Sequence, residues 1–306
     1  MSGVSYYDCS DFARAVVALL QSPFPNSNAE KQTTMLGRIL GKTEPLLDAE
    51  TIQWQFDTFA WALRQFDAEV FYDETTLVLP DNAHFPGRSD SPQAMADLIF
   101  NHVKQYAGVG HWPTRVIEQN ACGTLEAPKV EIAGNLRGSG GEVVDVAEEH
   151  RLPVLYNEAM LSSPETLIAS FAHTLAHYLG SMSDEEPPGG LENWPHITEL
   201  LAVFMGFGVI FANDAYNFRA GCGSCSSPAA ERENYLSQHD ITYALAIFTV
   251  LKSIPPKQVA RHLKKTLRAF FNRAVKDVSQ RTGMLQPLSR QALASAPAMQ
   301  RIAQPQ

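Results

Sequence analysis

Two apolar helical segments joined by a polar loop organise the second half of this chain, and the first carries two histidines one turn apart. Ser163-Pro164-Glu165 is a helix start, with proline at the first position and an acidic residue in the first turn. Leu167, Ile168, Phe171, Leu175 and Leu179 then recur at helical spacing up to Gly180, a natural C-terminal stop. Residues four apart on a helix share a face. His173 and His177 therefore present two imidazoles on one side, where they can grip one transition metal ion. A Pro-Gly-rich loop covers 181–193, and a second apolar helix runs from near Pro195 to about Asn213.

The rest of the pattern predicts an α+β chain. Ile52, Phe56, Phe59, Leu63 and Phe66 form a helical stripe over 48–66, with Trp54 and Trp61 off it and available to cover neighbouring elements. A short strand is expected at 75–79, ended by Pro80. Ser91-Pro92 caps a helix to about Tyr106 that buries Met95, Ile99 and Val103. Strand-like runs follow at 114–118, 128–133, 142–146 and 153–156. Two more helices are expected at 237–252 and 256–280. Gly206 and Gly208 interrupt an apolar helix, where close helix packing is the natural reason for them. The chain thus reads as one domain over 1–280. A mixed half with a small sheet (1–160) meets a helical half (161–280), and the two histidines lie at the junction. The Ala-, Gln-, Ser- and Pro-rich stretch 281–306 is expected to be a disordered tail.

Composition narrows the function. A formal net charge of −9 argues against a general nucleic-acid binder. The stretch from Lys252 to Arg281 is basic apart from Asp277, and reads either as a solvated helix face or as a contact surface for an acidic partner. The longest apolar run, 200–212, is shorter than the ~20 residues of a membrane span and reads as a buried helix. The N-terminal residues lack the basic region and cleavage site of a signal peptide. Four cysteines in so long a chain do not make a disulfide framework. The expectation is a reduced, cytoplasmic protein, with its oligomeric state open.

A zinc site needs at least three protein ligands, with a fourth position left to water in catalytic centres. Beyond His173 and His177, the next helix offers Glu199 as first choice and His196 as the alternative, either of which could instead orient the ligands by hydrogen bonds. The usual catalytic helix reads H-E-x-x-H, with the glutamate as general base. Here that position holds Thr174, in His173-Thr174-Leu175-Ala176-His177. A threonine hydroxyl has no useful pKa near neutrality, and a positioned acid–base group contributes about 10²–10⁴-fold. Glu165 and Glu158 are acids outside the motif that could substitute, though neither is favoured by spacing.

The stretches 167–179 and 198–208 resemble the zincin-type metalloproteins, specifically the gluzincin branch whose third ligand is a glutamate on the following helix. They are also similar to an uncharacterised bacterial group with a zincin-like helix. The likeness extends from Ile52-Gln53-Trp54 to Tyr243-Ala244-Leu245. It implies a Zn²⁺ cofactor and a sheet edge beside the histidine helix, where an extended peptide could add as a strand. The expected function is a zinc-binding, metallopeptidase-like protein, weakly active or a pseudoenzyme because Thr174 replaces the base. The alternative is a non-catalytic protein, of inhibitor or immunity type, holding a peptide or protein partner.

Other constellations carry less. Cys222-Gly223-Ser224-Cys225 could be a redox dithiol, half of a Cys₂His₂ zinc set with His173 and His177, or two loop cysteines. Cys122 has His111 and Asn120 near it in sequence, a weak thiol-nucleophile pattern. Gly138-Ser139-Gly140-Gly141 lacks the phosphate-loop lysine and reads as a hairpin turn. Tyr178 and His239 are candidates for stabilising an oxyanion, with core packing the competing role for Tyr178.

Overall fold

The computed structural model describes residues 5–7, 45–119, 130–214 and 235–290. The architecture is α+β. Helix α1 (Ala49–Gln65) starts on an Asp48 cap that accepts from the Thr51 N–H at 2.7 Å. It buries Ile52, Phe56, Phe59 and Leu63 as its periodicity requires. The two off-stripe tryptophans hold the loop that follows the histidine helix: Trp54 Nε1 donates to Pro188 O at 2.9 Å and Trp61 Nε1 to Glu185 O at 3.1 Å. Helix α2 (Pro92–Tyr106) starts on the expected Ser91 cap.

The sheets are small. Strand β1 (Ser5–Tyr7) pairs antiparallel with β3 (Val130–Gly134), which pairs antiparallel with β4 (Gly141–Glu142). Strand β2 (Thr114–Glu118) runs parallel to β5 (Leu152–Tyr156), with Thr114 opposite Leu152. The expected strand at 142–146 shrinks to two residues because the chain leaves the hairpin, exposing Val143. The expected strand at 75–79 has no ladder. A single π-helical turn (Val70–Glu74) leads into extended chain whose Val78 N–H donates to Gly206 O at 3.0 Å.

Helix α3 (Pro164–Ser181) carries the two histidines and is followed by α4 (Trp194–Ala202) and α5 (Gly208–Asp214). The uninterrupted helix expected over 195–213 is broken by a π turn, Val203–Phe207, at whose end Gly206 takes φ 102°. A Cβ on Gly206 would lie 2.1 Å from Thr76 O, so backbone conformation and close approach require glycine here, rather than helix packing. Gly208 does serve packing: a Cβ there would meet Leu245 Cδ1 at 2.9 Å, on helix α6 (Gln238–Leu251). The apolar stretch Leu191–Asp214 is long and apolar enough for a membrane span, yet it is mostly buried as the centre of the helical core.

The helix expected over 256–280 is two, α7 (Pro256–Ala260) and α8 (Lys265–Gln280). Asn213 splits them, donating to His262 O and accepting from Lys264 N, both at 2.9 Å. Those are backbone groups that a continuous helix would spend on itself. Within the basic stretch, Lys252 is no solvated charge, since its Nζ donates to Phe71 O and Tyr72 O at 2.6 Å.

Residues 281–290, expected as part of a disordered tail, are folded against the rest of the chain. Helix α9 (Thr282–Leu285) and a 3₁₀ turn (Gln286–Leu288) bury Leu288, whose carbonyl accepts from Tyr72 OH. Arg290 pairs with Asp73. Residues 291–306 lie outside the described residues.

Candidate functional site

Helix α3 forms because an apolar stripe and a Pro164 start coincide, and α4 closes on it because residue 180 is glycine. A Cβ there would stand 2.5 Å from Trp194 Cη2 and 2.9 Å from Leu201 Cδ1. The polar groups singled out above lie on these two helices. His173 is 1% exposed, Thr174 2% and Glu199 0%, while His177 and His196 are half-buried.

Thr174, His177, Glu199 and His196 have the following neighbours. Thr174 Oγ1 donates to Ser170 O at 3.1 Å, the bond a helical threonine makes to its own preceding turn. His177 Nδ1 accepts from Trp194 Nε1 at 3.0 Å. Glu199 Oε2 accepts from Leu236 N at 2.7 Å, tying α4 to the entry of α6. His196 lies edge-on to Trp54, with ring centroids 6.4 Å apart. That ring pair faces a cavity of about 440 Å³ lined by Glu50, Trp54, Asn193, His196, Leu236 and Asp240.

Two expected oxyanion groups are engaged elsewhere. Tyr178 OH donates to Pro153 O at 2.8 Å, pinning α3 to β5, which is a packing role. His239 stacks on Phe270 at 4.3 Å. Neither acid outside the motif reaches the histidines. Glu165 stands two turns before His173, about 12 Å along the helix axis. It lines a separate cavity of about 360 Å³ with Phe85, Met95, Ile99, His102 and Ile168. Burial and the nearby Asp214 push its pKa up. Glu158 is exposed on a 3₁₀ turn.

The residues fit a zinc ion poorly as arranged. A ligating imidazole needs one nitrogen's lone pair for the metal, and the Nδ1 lone pair of His177 is already taken by an indole N–H. Among the described residues, no three His, Cys, Asp or Glu side chains gather as a cation site. Cys222, Cys225, Cys122 and Asn120 lie outside the described residues.

The sheet edges are also engaged. Leu152 N–H donates to Pro113 O, so residues 152 and 154 face β2 and residue 153 faces outward. Pro153 has no N–H to offer, and its carbonyl already accepts from Tyr178. On the outer side of β2, Val116 O accepts from Gln93 Nε2 at 3.2 Å. An added strand would compete with both side-chain bonds, which speaks against strand addition as the way a peptide is held.

Sequence reasoning missed two residues of this region. Gln55 is fully buried and donates to Asp240 O at 3.2 Å; a glutamine among the apolar positions of α1 is the signal that marks it. Trp194 gave no signal beyond its place before Pro195. In comparisons with known proteins, no family model, no curated protein and no solved structure matches this chain.

Proposed function

We propose that this chain is a zincin-like, metallopeptidase-derived protein without peptidase activity, which acts by holding a peptide or protein at the mouth of the α3–α4 pair. The observation that carries this reading is the bond from Thr174 Oγ1 to Ser170 O. A hydroxyl in the general-base position accepts no proton near neutrality, and this one is buried and spent on its own helix. The contribution of about 10²–10⁴-fold that a positioned base makes is absent, and neither Glu165 nor Glu158 is placed to restore it.

The cavity beside His196 supports binding. The Trp54 ring and the carboxylates of Glu50 and Asp240 line it, a combination that suits a cationic group: an aromatic face and negative charge both attract it. The ligand this favours is a peptide segment bearing lysine or arginine. Fluorescence polarisation with labelled Lys/Arg-rich and Glu-rich peptides tests it. The basic peptides bind, remain uncleaved, and lose affinity on Trp54→Ala and on Glu50→Gln. Equal binding of both peptide types, or cleavage of either, contradicts the reading.

Zinc binding is a second reading, supported by the chemistry of the donor set His173, His177 and Glu199, with His196 as the alternative third ligand. It requires Trp194 to release His177. Elemental analysis of the purified, untagged chain beside His173→Ala/His177→Ala decides it: one zinc per chain, lost in the variant, establishes the site.

A further inference from the structure

Trp194 opens α4 with its indole Nε1 3.0 Å from His177 Nδ1, the two rings 5.7 Å apart and near perpendicular. An indole N–H only donates. The nitrogen it meets must therefore carry a lone pair, and the proton of the neutral imidazole sits on Nε2. A metal-ligating histidine is arranged the other way. One nitrogen gives its lone pair to the metal, and the N–H of the other donates to a carbonyl, carboxylate or water. In this state His177 ligates through neither nitrogen: Nδ1 is taken, and freeing the Nε2 lone pair would put the proton on Nδ1, against the indole N–H.

The contact is braced. Trp194 is buried, and its ring packs against Gly180 so closely that a Cβ there would lie 2.5 Å from Cη2. Turning the indole away would mean prising α4 off α3 at the point where the two helices touch.

We infer that Trp194 is a positioning residue that fixes the tautomer of His177 and thereby closes the α3–α4 pair to divalent metal. The donor types are present, and the indole N–H holds one of the lone pairs a metal would need, that of His177 Nδ1. This inference extends the reading of an inactive metallopeptidase-like scaffold, but it stands on a different contact from the Thr174 bond. Either can fail while the other holds.

Two measurements on the full chain test it. Long-range ¹⁵N–¹H spectra, with His177 assigned by its absence in His177→Gln, report which ring nitrogen is protonated. The expected signature is Nε2 protonated and Nδ1 bare in the wild type. Zinc titration against a chromogenic chelator then compares wild type with Trp194→Phe, which keeps an aromatic ring against Gly180 and removes the N–H. The variant should bind zinc at least about tenfold more tightly, which corresponds to about 1.4 kcal/mol. That gain should disappear in Trp194→Phe/His177→Gln. A wild-type His177 protonated on Nδ1, or equal zinc affinity in wild type and Trp194→Phe, overturns the inference. Should Trp194→Phe not fold, the wild-type spectrum decides alone.

Discussion

Along α3, Thr174 bonds Ser170 O, His177 bonds Trp194 Nε1 and Tyr178 bonds Pro153 O. In the turn of the β3–β4 hairpin, Arg137 instead spreads a charged fork over several segments. Its Nε donates to Ala107 O and its Nη2 to Thr75 Oγ1, both at 3.1 Å, and its Cζ stands 5.3 Å from the centre of the Phe204 ring. It is 1% exposed. Burial pulls its pKa down to about 10, against the opposing pull of Asp67 and Glu74, so it stays charged at neutrality. The α3 bonds are neutral and separable. The Arg137 node ties the end of α2, the chain at 75 and the turn before Gly206 together at once, and a buried charge tolerates little loss of its partners. These three α3 bonds are modest contacts, while Arg137, in a region with no motif, joins several segments at once.

The largest expected effect follows from that contrast. Arg137→Ala leaves a cavity and strips partners from Ala107 O and Thr75, and should cost about 3–4 kcal/mol in urea unfolding. A loss below about 1 kcal/mol would erase the distinction between the two regions. Gly206→Ala strikes the same node through its positive φ and the Thr76 carbonyl, and should cost about 2–3 kcal/mol by the same assay. Tyr178→Phe on α3 should cost only about 1 kcal/mol. Thr174→Val should cost less still, and the double variant measures the coupling between these neighbours one turn apart. Strong non-additivity would make α3 a node of its own.

A pH scan gives the smallest effect. Asp277 accepts from Arg281 Nε at 2.7 Å and from Tyr243 OH at 2.5 Å. Burial alone would raise its pKa, but these hydrogen bonds outweigh burial and hold it below 3.8. A carboxylate depressed on folding contributes stability that is complete above its unfolded value. That stability is lost as pH falls through the lowered folded value. Stability should therefore decline below about pH 4. Asp277→Asn should flatten that acid limb while leaving the Arg137 effects unchanged.

How much of this was legible in the sequence follows the range of the forces involved. The helices over 49–65, 92–106, 164–181 and 238–251 were readable because caps and periodicity are local. The break at Gly206 was not, since Thr76 and Val78, which require it, lie far away in sequence. The split between α7 and α8 depends in the same way on Asn213. The residue types of the candidate site were readable from the spacing of His173 and His177 and from Thr174 in the base position. Their bonding was not. That His177 meets an indole N–H depends on how closely α4 approaches α3, and Gly180 sets that approach.

The helix bearing His173, Thr174 and His177 is proposed to perform no peptide hydrolysis. The direct measurement is turnover of a diverse peptide library by the full wild-type chain, assayed with added zinc and with chelator, and read by mass spectrometry. Intact peptides are expected in both conditions. Cleavage that requires zinc, stops with chelator and disappears in His173→Ala would contradict this proposal.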